Sequence, residues 1–198
     1  MADTDPQRPV GTEPAKRAGG RHVVVLIAAL SLAPIVAAYV VYYHYPRTPA
    51  ANYGTLLPTA PAPPISGTRA DGSPFRLADL HGRWVLLFGA QAGCGSACDK
   101  AAYASRQART MQGKDQDRVV RALLVAGDAA PPPSLLAQHP DLIIVRVDAD
   151  LLARLPGGPD ALYVIDPLGN LVLRYPEDPD IRGIANDLTR LLKASRIG

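Results

Sequence analysis

The chain has 198 residues, of which 47% are hydrophobic and 20% charged, a composition typical of a folded protein that excludes a wholly disordered chain. Its length allows about one domain of ordinary size plus an appendage, because single domains cluster near ~100–150 residues. The net charge is only +3 and no basic stripe interleaved with aromatic residues occurs, so no nucleic-acid partner is expected.

A long apolar segment lies near the N-terminus. Residues 23–43 contain no charged side chain, and at a rise of about 1.5 Å per residue they are long enough to cross a hydrocarbon core of ~30 Å. The segment exceeds the apolar region of a cleaved signal peptide and ends in tyrosines, as at a lipid–water interface. We therefore predict a tail over residues 1–22 and an uncleaved transmembrane helix over residues 23–43.

Basic residues indicate the orientation of this helix. Lys16, Arg17 and Arg21 precede it closely, whereas Arg47 is the only strong base in the twenty residues that follow it. The positive-inside rule therefore predicts a cytoplasmic N-terminus, with the rest of the chain outside the cytoplasm.

The segment after the helix is rich in proline. Residues 44–66 contain six prolines, and proline interrupts both helices and central strands. We predict an extended stalk over residues 44–66, which leaves residues 67–198 as one folded domain.

That domain has an alternation of strand and helix patterns. Residues 83–88, 119–125 and 142–147 are short apolar runs typical of buried strands, and residues 97–111 are rich in helix formers. The order strand, helix, strand predicts a parallel pair with a crossover, which indicates an α/β fold.

The C-terminal part adds a hairpin and a helix. Residues 161–165 and 171–175 flank an Asp-Pro-Leu-Gly-Asn turn, so the predicted sheet is mixed. Apolar residues recur at helical spacing over residues 181–192, with Asp178 as the predicted cap and Pro179 in the first turn.

Cys94 and Cys98 are the only cysteines of the chain. They follow the first buried strand and open the first helix, where free backbone N–H groups and the helix dipole stabilise a thiolate. Their spacing brings the sulfurs close if Cys98 lies in the first turn, so the pair can form a disulfide or bind a soft ion such as Cu(I). Packing cysteines or an inert structural disulfide fit the same spacing.

The stretch from Leu80 to Cys98, LHGRWVLLFGAQAGCGSAC, resembles the opening of the thioredoxin-like Sco/SenC proteins, in which a strand runs into C-x3-C. Looser similarity covers residues 72–80 and 163–170, and the single N-terminal membrane helix is also similar. The resemblance implies a thioredoxin-like α/β domain with a mixed sheet flanked by helices. It also implies a role in maturation of the copper centre of cytochrome c oxidase, with an oxidase subunit or assembly factor as partner.

One expected copper ligand is missing. Sco proteins have a histidine just before the strand that precedes the Asp-Pro turn, where this chain has Gly157-Gly-Pro-Asp-Ala161. The runs over residues 106–109, 113–118 and 191–198 are also similar to thioredoxin-like proteins encoded beside oxidase assembly genes in proteobacteria, a branch that lacks this histidine. His139 is predicted to be a solvated loop residue. No histidine of the chain matches the ligand position: His22, His44, His81 and His139.

The resemblance also implies a cis-proline packed against the cysteine pair, and Pro159 is the candidate. We predict that Cys94 and Cys98 carry out thiol–disulfide exchange in oxidase maturation, on the periplasmic side of a bacterial inner membrane. Two alternatives stay open: a Cu(I) metallochaperone that uses both sulfurs, or a non-catalytic assembly scaffold with a structural disulfide. The sequence leaves open whether the protein is an enzyme.

Overall fold

A computed structural model describes residues 20–44, 52–91, 93–127 and 131–195. The chain divides into two units, Met1–Pro49 and Ala50–Gly198. Most of the predicted tail, residues 1–19, and the start of the predicted stalk, residues 45–51, lie outside the described residues.

The described part of the first unit is one helix, α1, Gly20–His44, which extends the predicted span at both ends. Within Gly20–Val41 a window of 18 residues reaches a mean hydropathy of 2.6, and this segment is long and apolar enough to cross a membrane. Pro34 lies inside the helix, and the rings of Tyr39 and Tyr43 lie 4.4 Å apart near its C-terminal end. Because apolar side chains are exposed on all sides of α1, it is suited to a lipid environment.

The described residues of the second unit form one mixed sheet. Its strands are β1 Thr55–Pro61, β2 Ser66–Arg69, β3 Pro74–Arg76, β4 Trp84–Ala90, β5 Val119–Ala126, β6 Leu142–Val147, β7 Leu162–Ile165 and β8 Asn170–Tyr175. Their order in the sheet is β1-β8-β7-β4-β5-β6-β2-β3. The strand β4 is parallel to β5, and β5 to β6, whereas the other neighbours are antiparallel. The predicted parallel pair and the predicted hairpin of β7 and β8 are therefore confirmed.

Helices cover both faces of the sheet: α2 Ser96–Thr110, α3 Pro133–Gln138, α4 Ala149–Ala153 and α5 Ile181–Ala194. On one face, Leu86 and Phe88 of β4 belong to the same buried cluster as side chains of α2 and α5. On the other face, Val85 and Leu87 belong to a second cluster that includes Leu152 of α4. Every residue of β4 is buried, which explains why its sequence is a continuous apolar run rather than an alternating one.

Part of the predicted stalk lies in the sheet. Strand β1 pairs with β8, Thr55 opposite Arg174 and Ala60 opposite Leu171, and Ile65 is buried in the core. An edge strand needs ladder hydrogen bonds on one side only, so it tolerates prolines such as Pro58, near which the register shifts. The stalk prediction is therefore wrong from Thr55 onward.

The cap of α5 also differs from the prediction. Asp180 precedes the helix, and its side chain accepts a hydrogen bond of 2.8 Å from the backbone N–H of Gly183. Asp178, the predicted cap, instead accepts a hydrogen bond from Lys100 Nζ at 2.8 Å. Only an acceptor directly before the first helical residue reaches the free N–H groups of the first turn.

A buried carboxylate on α5 holds the start of the second unit. Asp187 is 1% exposed and accepts hydrogen bonds from the backbone N–H groups of Tyr53 (3.1 Å) and Gly54 (2.8 Å). It also accepts one from the hydroxyl of Tyr175 at 3.2 Å, and burial raises the pKa of Tyr175, which keeps that hydroxyl protonated. The three donors compensate the cost of burying the charge.

Replacing this carboxylate tests its contribution to stability. We expect Asp187→Asn to lower the free energy of unfolding by about 1.5–3 kcal/mol. The asparagine amide removes the negative charge and turns an NH₂ group toward the N–H and O–H groups that now donate to the carboxylate. The measurement is urea unfolding of the full chain in detergent micelles. As a control, Asp117→Asn changes a side chain that is 89% exposed and should stay within about 0.5 kcal/mol. Equal midpoints for the two variants would contradict the role of Asp187.

Candidate functional site

The two cysteines meet where β4 passes into α2. Cys94 lies in the loop before the helix and Cys98 in its first turn, and a disulfide joins them with their Cα atoms 5.1 Å apart. This Cα separation is within the usual range of about 4.4–6.8 Å for disulfides. The sulfurs are therefore brought together as the four-residue spacing predicts.

The two sulfurs differ in their access to solvent. Cys98 is 4% exposed and belongs to the core cluster between the sheet and α2, whereas Cys94 is only partly buried at the edge of that cluster. Gly95 is the N-cap residue and provides no side-chain acceptor for the free N–H groups of the first turn. The positive end of the α2 dipole is thus available to stabilise negative charge on a sulfur.

A carboxylate lies beside the more accessible sulfur. Asp99 Oδ1 is 3.4 Å from Cys94 Sγ, and Asp99 is exposed in the first turn of α2. No pattern in the sequence assigns this residue to the site. It directly follows Cys98 in the chain, but only the fold of the loop shows that its side chain reaches Cys94.

Pro159 lies beside the strand that leads to the cysteines. It is buried, and its carbonyl oxygen accepts a hydrogen bond of 3.0 Å from the N–H of Gly89 in β4. The described residues contain no cis peptide bond, so the cis-proline prediction is wrong. Gly157 and Gly158, with φ angles of +99° and +89°, make the turn before Pro159.

The histidines of the second unit lie in other surroundings. His81 Nε2 lies next to Gly169 in the turn between β7 and β8, only 2.7 Å from the position that a Cβ atom on Gly169 would take. His139 is 5% exposed, so its prediction as a solvated residue is wrong. Within the described residues, no group of three or more His, Cys, Asp or Glu side chains is placed to hold a metal ion. The two sulfurs alone fit a soft Cu(I) ion, but not the harder Cu(II).

A buried arginine supports the helix that carries Cys98. Arg121 of β5 is 1% exposed and donates hydrogen bonds to the carbonyl oxygen of Ala102 in α2 (3.1 Å) and to the carboxylate of Asp141. Its Nη1 lies 3.5 Å from Nδ1 of His139. Burial, with Arg121 and Arg106 nearby, lowers the pKa of His139, so its imidazole is neutral at pH 7. The signal in the sequence for such a buried pair is a charged residue inside an apolar strand.

Residues 84–195, more than half of the chain, match the family described as transmembrane-like, thioredoxin-like, C-terminal domain. The chain belongs to this family. The matched span begins at β4, contains both cysteines and Pro159, and ends one residue after α5. No curated protein sequence matches the chain.

Solved structures share the fold of this thioredoxin-like domain. ScoI of Bradyrhizobium japonicum with copper bound has a TM-score of 0.53 and 20% identity, over 66% of this chain and 99% of that one. The apo Sco1 protein of Thermus thermophilus has a TM-score of 0.52 and 22% identity, over 75% of this chain and 99% of that one. The thioredoxin domain of a thiol-disulfide oxidoreductase from Bacteroides vulgatus has a TM-score of 0.52 and 14% identity, over 69% of this chain and 99% of that one. The predicted Sco-like thioredoxin fold is confirmed.

Because Cys94 is more exposed than Cys98, the two thiols of the reduced thioredoxin-like domain should react at different rates. Cys94 should be alkylated at least several-fold faster than Cys98, because a reagent reaches the buried sulfur only after the helix start opens. Brief treatment with iodoacetamide, followed by mass spectrometry of the peptides, measures both rates. In 8 M urea, the control, the two cysteines should react alike. A faster reaction of Cys98 in the folded protein would contradict the assignment.

Proposed function

We propose that this protein is a membrane-anchored thiol–disulfide protein that acts in maturation of the copper centre of cytochrome c oxidase. The observation that carries the proposal is the pair of cysteines at the junction of β4 and α2, with one sulfur accessible and the other buried. An attacking sulfur needs access to the partner, whereas a resolving sulfur needs only to reach its neighbour.

The exchange starts from the reduced pair. The Cys94 thiol loses its proton to solvent, and the thiolate attacks one sulfur of a partner disulfide. The partner S–S bond breaks, a mixed disulfide with Cys94 forms, and the released partner thiolate takes up a proton. The Cys98 thiol loses its proton, its thiolate attacks Cys94 Sγ, and the second partner sulfur leaves and is protonated. Two electrons pass from the protein to the partner, which ends as a dithiol.

The proposed partner is an oxidase subunit or assembly factor whose copper-binding cysteines must be reduced before they bind the metal. The similarity of the sequence around Cys94 and Cys98 to Sco/SenC proteins supports this choice. In this proposal Pro159 supports the loop through its hydrogen bond to β4.

A Cu(I) metallochaperone is the second candidate, favoured by the fold shared with a copper-bound ScoI. The two sulfurs are suitable ligands for Cu(I). The missing third ligand favours exchange over copper transfer, because Gly157 and Gly158 stand where the resemblance places the histidine.

The proposed location is a bacterial inner membrane, with a cytoplasmic N-terminus and a periplasmic domain. We expect alkaline phosphatase fused after residue 198 to be active, since that reporter matures only outside the cytoplasm. Changing Lys16, Arg17 and Arg21 together to Glu should lower that activity, because it removes the charges that set the orientation. High activity of a cytoplasmic reporter at the same fusion point would contradict the location.

A redox titration tests the function. For the full chain in detergent micelles, we expect a dithiol–disulfide equilibrium with glutathione and a potential above about −300 mV. With an oxidised two-cysteine peptide, Cys98→Ser should accumulate the mixed disulfide and Cys94→Ser should not. A disulfide that glutathione leaves intact would indicate a scaffold. Tight stoichiometric binding in an anaerobic Cu(I) titration, without exchange, would indicate the metallochaperone.

A further inference from the structure

The negative charge of Asp99 lies close enough to Cys94 Sγ to affect ionisation of the Cys94 thiol. We propose that the Asp99 carboxylate holds Cys94 in its thiol form and so sets the pH above which this cysteine becomes a nucleophile. The proposal rests on the thiol–disulfide function above and names a residue that touches the reacting sulfur.

The backbone fixes the position of this carboxylate. The N–H of Asp99 donates to the carbonyl oxygen of Gly95 at 3.0 Å, which is the first hydrogen bond of α2. Cys94 lies in the loop that leads directly into this turn and packs at the edge of the core cluster. The side chain of Asp99 therefore faces the loop, with Oδ1 3.4 Å from Cys94 Sγ.

In the reduced protein the two forms of Cys94 respond oppositely to this carboxylate. A thiol can donate its S–H to the carboxylate oxygen, whereas a thiolate is repelled by it. At about 4 Å, the repulsion between two charges even in water corresponds to a factor of about five in the ionisation equilibrium. The dipole at an exposed helix N-terminus favours the thiolate by a factor of about two to five. The carboxylate thus offsets the dipole or exceeds it.

The basic side chain next to Asp99 in the chain pairs with another carboxylate, and the nearby histidine carries no charge at pH 7. Lys100, the next residue, donates from its Nζ to Asp178 at 2.8 Å, and this hydrogen bond, with the negative charges of Asp178 and Glu177, raises the pKa of Lys100. His139 lines the same depression of about 390 Å³ as Asp99, Lys100 and Tyr103. Its imidazole is neutral at pH 7, because burial and the positive charges of Arg121 and Arg106 outweigh the effect of Asp141 and Asp99 on its pKa.

The consequence for the exchange is a rate that rises with pH. At neutral pH most Cys94 keeps its proton, so the reduced pair reacts slowly with oxidants in solution. As the pH rises, the proton leaves to solvent and the thiolate attacks the partner disulfide, in the same balanced steps as above. Asp99 changes the fraction of thiolate and forms no bond to the substrate.

Removing the charge of Asp99 tests the proposal. For the reduced full chain in detergent micelles, iodoacetamide alkylation of the Cys94 peptide is followed by mass spectrometry from pH 5 to pH 10. We expect Asp99→Asn to lower the pH midpoint by about 0.7 and to raise the rate at pH 7 about five-fold. Asp99→Ser removes the same charge and should shift the midpoint in the same direction. Asp150→Asn removes an exposed carboxylate from the first turn of α4 and should leave the midpoint unchanged.

This readout separates the proposal from the proposed function. A midpoint unchanged or raised in both Asp99 variants overturns the role of Asp99, while exchange with a disulfide peptide can still occur. A lowered midpoint without any exchange supports the role of Asp99 and removes the exchange function. An equal shift in Asp150→Asn would mean that the overall charge, rather than the contact with Cys94, governs the sulfur, and it would overturn the proposal.

Discussion

Burial of β4 on both faces is the constraint on which the site depends. Its seven residues are all buried, and it lies between the parallel strand β5 and the antiparallel strand β7. The two core clusters meet across this strand, so it is held from both sides of the sheet. The chain leaves β4 at its carboxyl end. The cysteine loop and the start of α2 are therefore fixed at the carboxyl ends of the parallel strands, where α/β folds place their sites.

The helix after the loop is attached to the sheet by a charge as well as by packing. Arg121 donates to the carbonyl oxygen of Ala102, one turn beyond Cys98, and its ion pair with Asp141 compensates part of the cost of burying the guanidinium. Desolvation lowers the pKa of Arg121 and the bond to Asp141 raises it. The contact therefore positions the buried sulfur from the sheet side, while the first turn and Asp99 determine the surroundings of the accessible one.

The sequence predicts the elements of this fold better than their contacts. Strands β5 and β6 and the final helix follow from apolar runs and periodicity, which are local properties. Proline content does not show whether the free edge of a strand faces solvent, so the prolines of β1 predict a stalk where the fold has an edge strand. His139 and Asp99 are polar residues next to helix ends, and only the tertiary fold shows that one is buried against Arg121 and the other lies beside Cys94.

The loop before β7 differs from a loop with the expected histidine in its backbone as well as in its side chains. Gly157 and Gly158 both have positive φ angles, a region that residues with a Cβ atom rarely adopt. A Cβ atom on Gly157 would also collide with Arg174, whereas space is open around Gly158. The hydroxyl of Tyr163 lies within hydrogen-bond distance of the carbonyl oxygens of Pro156 and Gly158, and its one O–H, shared between these acceptors, holds this glycine turn in place. A histidine at either glycine would therefore require a different backbone, and the loop as built leaves the two sulfurs without a third ligand from this position.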